Sequence, residues 1–336
     1  MNEGSRALVT GANGFVGSHL VEELLKRGYR VRCLVRRTGN LRWVEALPVE
    51  MAYGDLREAK AVEDAVKGCD VIFHTAGVIK AHTLEAYLDA NQRGTANIVR
   101  AASLLGANLR RFVHVSSLAA CGPSRDGHPV HERTECRPVS WYGESKLRGE
   151  GEVLRYADRL PVTIVRPPVV YGPRDEGVLE FFQLAATGIV PSLDGRRYYS
   201  IIYVKDLIRG IADAAECSAA AGNVYFVAND RPVELSEILM KMAEAVGQRR
   251  RIRLHLPLAL VEAVAATVET CAKIAGKTTF VNRQKVREIG QRYWVCSSEE
   301  ARKDFGFRQR VALEEGLLVT AEWYRRIGRL PGGSAI

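Results

Sequence analysis

A tyrosine and a lysine lie four residues apart in the segment Tyr142-Gly143-Glu144-Ser145-Lys146. On a helix, this spacing puts both side chains on one face, one turn apart. An ammonium group near a phenol favours the phenolate, so we expect Lys146 to lower the pKa of Tyr142 from its usual value of about 10. Such a pair can move a proton to or from a substrate oxygen. The same spacing is also common on helix surfaces, where it has no function.

Two serines, Ser116 and Ser117, end a strand-like run, and Ser117 precedes Tyr142 by 25 residues. A hydroxyl at this place can donate a hydrogen bond to the same substrate oxygen as charge develops on it. The structural alternative is a serine at a strand end that caps a turn.

A glycine-rich turn near the N-terminus reads Thr10-Gly11-Ala12-Asn13-Gly14-Phe15-Val16-Gly17 and joins a strand-like run to a helix-like run. Gly11 permits the tight turn, Gly14 lets the backbone approach a phosphate, and Gly17 lets the helix pack close to the strand. Free N–H groups at the start of the helix would then meet the phosphates. The motif predicts a site for a dinucleotide cofactor.

Strand-like and helix-like segments alternate over the first half of the chain. Strands are predicted over residues 6–9, 30–35, 49–53, 70–74, 111–116 and 162–166, and helices over 18–27, 58–67, 84–105 and 142–156. A helix over 205–216 and a strand over 223–227 follow a turn-rich break. This order predicts an α/β fold with a doubly wound parallel sheet of the Rossmann type.

We expect two lobes. Residues 1–170 with about 200–228 form an NAD(P)-binding Rossmann domain, and residues 171–199 with 229–330 form a smaller, mostly helical substrate-binding lobe. The second lobe would cover the carboxyl edge of the sheet, where open α/β sheets bind their ligands.

The composition is that of an ordinary globular protein, with 336 residues, 47% hydrophobic residues and a formal charge of +9. A positive charge suits an anionic ligand or an acidic membrane surface, but the arginines are scattered and no aromatic-rich basic motif predicts nucleic-acid binding. The main cluster is Arg249-Arg250-Arg251 with Arg253, which is either a solvated surface or a contact with lipid headgroups. Seven cysteines without metal-ligand spacing predict reduced thiols in the cytoplasm and no metal site, and no signal peptide is expected.

Residues 256–276 are the most apolar segment, but charged residues interrupt it and argue against a membrane-spanning helix. One helical face would carry Leu260, Val264, Val268, Cys271 and Ala275. Either this stripe packs on the second lobe, or it faces lipid or an apolar substrate.

Together, the motifs resemble the extended short-chain dehydrogenase/reductase superfamily, the NAD(P)-dependent epimerases and dehydratases. Besides the glycine turn and the Tyr142-Lys146 pair, the resemblance rests on Gly54-Asp55-Leu56, Asn91-x-x-Gly94-Thr95, Val115-Ser116-Ser117 and Arg166-Pro167-Pro168-Val169-Val170-Tyr171-Gly172-Pro173. It implies that Ser117 is the catalytic hydroxyl and Tyr142 the acid/base. The positively charged ring of an oxidised nicotinamide would lower the pKa of Tyr142 further. Lys146 would hold the nicotinamide ribose, and Asn91 would steady the site.

The resemblance also assigns the cofactor contacts. Asp55 and Leu56 would flank the adenine, and Ala76 would line the path of the dinucleotide. The remaining cofactor-binding residues would be Gly11, Asn13, Gly14, Phe15, Val16, Gly17, Pro168 and Val170, with Tyr142 and Lys146.

The choice between NADP and NAD depends on the end of the second strand. Members that use NAD usually have an acidic residue there, which binds the ribose 2′-hydroxyl. This chain has Val35 at that place, followed by Arg36 and Arg37. Guanidinium groups suit a 2′-phosphate, so NADP is favoured. If both arginines point to solvent, NAD is used.

Two departures from the nucleotide-sugar enzymes weaken a sugar-diphosphate site: Val169 replaces a common asparagine, and Tyr199 replaces a common arginine. The second half is similar to the 3β-hydroxysteroid and sterol-4α-carboxylate 3-dehydrogenases, and a dihydroflavonol-reductase-like group remains in contention. This implies a dehydrogenase or ketone reductase for an apolar, sterol-like molecule. If the substrate carries a carboxylate beside the alcohol, its oxidation would give a β-keto acid, which can lose carbon dioxide. The alternatives are a nucleotide-sugar epimerase or dehydratase, or a non-enzymatic cofactor sensor. The resemblance further implies a homodimer, and peripheral contact with a membrane stays open.

Overall fold

The computed structural model describes residues 4–250, 252–274 and 283–332. The strands are β1 (Arg6–Thr10), β2 (Arg30–Val35), β3 (Glu50–Tyr53), β4 (Val71–His74), β5 (Arg111–Val115), β6 (Val162–Arg166), β7 (Val169–Tyr171), β8 (Ile189–Leu193), β9 (Tyr198–Tyr199), β10 (Ile201–Tyr203), β11 (Val224–Phe226), β12 (Val233–Glu234), β13 (Ile252–Leu256) and β14 (Tyr293–Trp294). The helices are α1 (Phe15–Lys26), α2 (Ala59–Val66), α3 (Leu84–Leu88), α4 (Gly94–Ser103), α5 (Leu118–Cys121), α6 (Trp141–Leu154), α7 (Leu179–Ala186), α8 (Val204–Glu216), α9 (Leu235–Ala245), α10 (Leu258–Ile274), α11 (Arg283–Gly290), α12 (Glu299–Phe305) and α13 (Leu313–Arg326).

Seven strands form one sheet in the order β11-β6-β5-β4-β1-β2-β3, and every neighbouring pair is parallel. The strand order reverses between β1 and β4, which is the point where doubly wound sheets open a crevice for a ligand. The predicted α/β fold of the Rossmann type is confirmed, including the late return of β11 to the sheet.

Helices cover both faces of this sheet. On one face, α1 and α8 bury leucines and isoleucines such as Leu20, Leu24 and Leu207 against the strands. On the other face, α2, α4 and α6 pack residues such as Val62, Ile98 and Val153 against Ile72 and Phe112. Burial on both sides explains why central strands such as Val71–His74 and Val162–Arg166 are buried at every position rather than at alternate ones.

The predicted helix over 84–105 is present from Leu84 to Ser103, but it is not uniform. Between α3 and α4, residues Asp89–Arg93 form one turn of π-helix that contains Asn91. Such a turn carries an extra residue and re-aims its side chains, and it is frequent at functional sites. The sequence pattern gave no sign of it. Helix α1 also begins earlier than expected, at Phe15, because Gly14 already takes the N-cap position.

The second half of the chain adds three small sheets to its helices: β10 with β7, β13 with β8, and the three-stranded β12-β9-β14. These short strands were not predicted in a lobe expected to be mostly helical. A cavity lies at the carboxyl end of the main sheet. One strand and two helices of the second half, β9, α7 and α9, contribute residues to its opposite wall. The exact division of the chain into two domains stays a prediction.

Helix α10 leaves most of its apolar stripe uncovered. The side chains of Leu260, Val264 and Val268 are 51%, 52% and 38% exposed, whereas Ala265 on another face is fully buried. The side chain of Cys271, and Ala275, lie outside the described residues, as do Arg251 and the side chain of Arg253. The described part of the stripe is therefore not packed on the lobe. Among the described residues, the structure contains no helix of the length and apolarity needed to span a bilayer.

Candidate active site

The glycine turn between β1 and α1 is folded as a tight cradle. Gly11 has a positive φ of 68°, and the N–H of Gly14 donates to the carbonyl oxygen of Gly11 at 2.9 Å. A Cβ on Gly11 would lie 2.7 Å from the Cα of Ala76, and one on Gly17 would lie 2.1 Å from the Gly11 oxygen. Both glycines are thus required by close backbone packing, and the exposed Gly14 leaves the start of α1 open. This open helix start fits the pyrophosphate of a dinucleotide.

The loop after β2 lies beside this cradle. The amide of Asn13 donates to the carbonyl oxygen of Asn40 at 3.1 Å, which ties the two loops together. Val35 is buried, whereas Arg36 and Arg37 are exposed, and the guanidinium of Arg37 lies 5.2 Å from the ring centroid of Tyr53. Both arginines are therefore on the surface next to the glycine turn.

The predicted adenine contacts are placed at the end of β3. Arg57 binds both oxygens of the Asp55 carboxylate, at 2.9 and 2.8 Å, and this bond lowers the pKa of Asp55 to about 2. The carboxylate is thus already paired. The carbonyl oxygen of Leu56 accepts a hydrogen bond from Asn97 at 2.8 Å. That these two residues hold adenine, and that Ala76 lines the dinucleotide path, stay predictions.

Tyr142 lies in the first turn of α6, whose N-cap is Ser140. The side chain of Ser117 lies close enough to the Tyr142 hydroxyl to lower the pKa of the phenol, and the Tyr142 ring lies 6.3 Å from that of Tyr87. Ser117 is itself the N-cap of α5, because its Oγ accepts a hydrogen bond from the N–H of Ala119 at 3.1 Å. The structure therefore gives Ser117 the capping geometry and also places it against Tyr142.

Lys146 follows one turn later and is buried. Its Nζ donates to the carbonyl oxygen of Val115 at 2.9 Å, at the end of β5. Burial lowers the pKa of Lys146 to about 8, and the charge of Glu150 opposes this change. The backbone of β5 therefore fixes the position of the ammonium group.

The expected lowering of the tyrosine pKa by Lys146 is wrong for the chain by itself. Burial raises the pKa of Tyr142 to about 12, and only the side chain of Ser117 opposes this change. The reason is that the phenolate loses hydration in the cavity. At neutral pH, Tyr142 therefore holds its proton.

Asn91 is buried in the π-helical turn and joins two elements. Its Nδ2 donates to the carbonyl oxygen of Val78 at 3.0 Å and to Ser145 Oγ at 2.9 Å, and its Oδ1 accepts from the N–H of Val78 at 2.8 Å. The side chain thus holds the loop after β4 against the catalytic helix. This geometry supports the role predicted for Asn91, which is to steady the site.

Sequence reasoning missed a buried pair of histidines beneath Lys146. His74 lies between the hydroxyls of Thr10 and Thr95, at 2.7 and 2.9 Å, and its ring centroid is 5.2 Å from that of His114. Burial, with the charge of Lys146, lowers the pKa of His74 to about 3, so this imidazole is neutral. The only sequence signal was a histidine at matching positions of β4 and β5, which become neighbours only in the folded sheet.

A cavity of about 430 Å³ opens above these groups. Seven of the predicted site residues line it, namely Phe15, Val16, Ser117, Tyr142, Lys146, Pro168 and Val170. Apolar side chains form much of the remaining wall, and they include Val178, Phe181, Ile238, Leu239, Met242 and Leu317. The volume and lining are those of a site for a small apolar molecule with a few fixed polar contacts.

The comparison with protein families agrees with this geometry. Residues 7–228 match the sequence model of the NAD-dependent epimerase/dehydratase family. The chain belongs to this family. As a member, it is an enzyme, an NAD-dependent oxidoreductase with the extended short-chain dehydrogenase/reductase fold.

Individual relatives cover between three quarters and nearly all of the chain. A ceramide reductase of Caulobacter vibrioides is 34% identical over 96% of this chain and 95% of its own length. A sterol demethylase protein B of Methylococcus capsulatus is 31% identical over 77% of this chain and 79% of its own. The crystal structure of gox2253 superimposes with a TM-score of 0.81 and 29% identity, covering 97% of this chain and 99% of that one.

The structure also places the residues that differ from those of the nucleotide-sugar enzymes, and the arginines near them. Val169 and Tyr199 both line the cavity. Arg197 is buried and donates to the carbonyl oxygens of Asp194, Gly195 and Ile289, so its guanidinium supports the backbone. Arg196 is exposed on the surface.

Proposed function

We propose that this oxidoreductase interconverts a ketone and a secondary alcohol on an apolar, lipid-like substrate. The observation that carries the proposal is the placement of Tyr142 and Ser117 in a cavity whose wall is otherwise mainly apolar. The names of the relatives, a ceramide reductase and a sterol demethylase protein, support a lipid substrate. A sterol-like molecule is the more specific form of the proposal.

In the reducing direction, Ser117 donates a hydrogen bond to the carbonyl oxygen and Tyr142 gives it a proton. The high pKa of Tyr142 suits this direction, because the phenol is fully protonated at neutral pH. Lys146 places a positive charge near the tyrosinate that remains, and solvent restores the proton. A nicotinamide dinucleotide held by its pyrophosphate at the glycine turn would supply the hydride for reduction and accept it in oxidation.

The test is turnover by the purified protein of four substrate classes, with NADPH or NADH for reduction and NADP⁺ or NAD⁺ for oxidation. These are a ketone-bearing long-chain amide lipid, a 3-ketosteroid, a 4-carboxysterol in the oxidising direction, and UDP-glucose. We expect net oxidation of the reduced cofactor with at least one apolar ketone. Turnover of UDP-glucose without net redox change, by protein that retains NAD, would instead identify a nucleotide-sugar epimerase.

We further propose that Arg36 and Arg37 select NADP by binding its 2′-phosphate. Replacing both with serine is expected to raise the KM for NADPH by about 10- to 100-fold, the value of one or two charge-assisted hydrogen bonds, without changing that for NADH. Arg42→Ser is the matched control, since Arg42 is also exposed in this loop but stacks on Trp43. Equal KM values for both cofactors in the wild-type protein would show that the two arginines serve solvation only.

We also propose that the exposed stripe of α10 binds an anionic membrane surface. Leu260, Val264 and Val268 lie on one helical face, and the exposed Arg249 and Arg250 precede the adjoining strand β13. An apolar stripe preceded in sequence by two exposed arginines, on a chain of charge +9, suits a bilayer with acidic headgroups. Helix α10 also packs on α11, residues of which line the cavity.

The protein is therefore expected to float with vesicles containing phosphatidylglycerol, and less so in high salt. The double change Leu260→Ser and Val264→Ser should abolish flotation. The control Leu318→Ser, which removes another exposed leucine from α13, should not. Flotation that is unaffected by the double change would contradict the proposal. A double variant that changes from dimer to monomer would also contradict it, because the stripe would then bind a second copy of the chain. A cytoplasmic location, inferred from the cysteines, stays a proposal. So does a homodimer through the helices that carry Asn91 and Tyr142, which the resemblance implies.

A further inference from the structure

Helix α11, far from α6 in sequence, packs against the first turn of the catalytic helix. The N-cap residue Ser140 donates through its Oγ to Glu288 Oε1 at 2.6 Å. The N–H of Trp141, which has no partner within its own helix, donates to Gln284 Oε1 at 3.1 Å. Two side chains of α11 thus satisfy the end of the helix that begins one residue before Tyr142.

Glu288 is itself held from two sides. Its Oε2 accepts from Lys285 Nζ at 3.0 Å, and its backbone oxygen accepts from the indole N–H of Trp294 at 2.7 Å. The side chain is largely buried and lines the cavity. Because its contacts are short and mutual, the carboxylate has little freedom to move away from Ser140.

The charge of Glu288 reaches the cavity. It raises the pKa of Tyr142, and it acts in the same direction on Tyr87 and Tyr199, which line the same cavity. A negative charge near a phenol disfavours the phenolate.

We propose that Glu288 is a positioning residue for Tyr142: it fixes the first turn of α6 through Ser140 and places a negative charge beside the phenol. This inference rests on the proposed function, since it assigns Tyr142 the proton transfer. Glu288 does not touch the reacting atoms in this scheme. It acts through the helix N-terminus and through the field at the hydroxyl.

Other groups also face Tyr142 and stay unchanged in the test. Ser117 at the start of α5 and Tyr87 from α3 act on the phenol directly, and Lys146 from its own helix, Lys285 from α11 and Lys80 from the loop after β4 line the same cavity. Removing the charge of Glu288 therefore isolates one contribution. The phenol should then ionise at a lower pH than in the wild-type protein.

The experiment compares Glu288→Gln and Glu288→Ala with the wild-type enzyme. Glutamine keeps an oxygen that can accept from Ser140 but carries no charge, so the pH dependence of kcat/KM for alcohol oxidation should shift to lower pH by about half to one unit. Alanine removes the contact as well, so kcat should also fall by about tenfold. The matched control is Glu144→Gln, which removes a charge from the same turn of α6 where Glu144 pairs with Arg148. The Glu144→Gln variant should leave the pH dependence of kcat/KM unchanged.

A second measurement does not depend on turnover. Amide hydrogen exchange of the peptide containing Trp141 and Gly143 should speed up in Glu288→Ala and stay slow in Glu144→Gln. If exchange responds but no ketone is ever reduced, the proposed function fails and the positioning role stands. If ketones are reduced but the pH profiles of Glu288→Gln and wild type superimpose, or exchange in Glu288→Ala is unchanged, the inference is overturned.

Discussion

Replacing Tyr142 with phenylalanine is expected to lower kcat for ketone reduction by about 10³- to 10⁴-fold while leaving the affinity for the cofactor unchanged. The change removes the hydroxyl whose pKa Ser117 lowers and leaves the ring in place. No other phenol of the described residues has the same arrangement beside Ser117 and one turn from Lys146. Steady-state kinetics, together with a fluorescence titration of the cofactor, measures both quantities.

Tyr87→Phe is the matched control for this variant. Tyr87 lines the same cavity and its ring lies 6.3 Å from that of Tyr142, but its hydroxyl donates to the carbonyl oxygen of Ile79 at 3.2 Å. Its loss should change kcat by no more than a few-fold. If Tyr142→Phe keeps most of its activity, or if Tyr87→Phe loses as much, Tyr142 is not the proton donor.

The elements that hold the site were predictable because their signals are local. The glycine turn, the alternation of strands and helices, and the spacing of Tyr142 and Lys146 are each read from a short stretch of chain. The cradle residues that must be glycine also follow from backbone geometry, as Gly11 and Gly17 show. The structure placed seven of the predicted residues around one cavity, which the sequence could not show directly.

The parts that were not predicted depend on contacts between distant segments. Glu288 reaches Ser140 across 148 positions of the chain, and His74 meets His114 only through the pairing of β4 with β5. The direction in which the pKa of Tyr142 is shifted also depends on contacts between distant segments. Spacing alone brings an ammonium near the phenol, but burial in the cavity decides the direction in which the pKa of Tyr142 moves.

A second large effect is expected from replacing Gly143 with alanine, because α5 and α6 are in close contact at this residue. A Cβ at this position would lie 2.3 Å from the carbonyl oxygen of Ala119 and 3.0 Å from the Cβ of Pro138. Both contacts involve atoms that cannot turn away, because one is backbone and the other belongs to a ring. The Gly143→Ala variant must therefore separate the two helices, which moves Tyr142 away from Ser117 at the start of α5.

We expect Gly143→Ala to lose about 1–3 kcal/mol of stability, as overpacked sites do, and to lower kcat by about 10²-fold, the effect of a misplacement near 1 Å. Gly151→Ala is the control on the same helix, where an added Cβ meets nothing within 4 Å. There, alanine should stabilise the protein by about 0.5–1 kcal/mol through its better helix propensity and leave kcat unchanged. Chemical unfolding and steady-state kinetics of the two variants decide the matter. If both glycines accept alanine equally well, the close approach of α5 and α6 does not hold Tyr142 in place, and the hydroxyl of Ser117 would not be kept within reach of the same substrate oxygen.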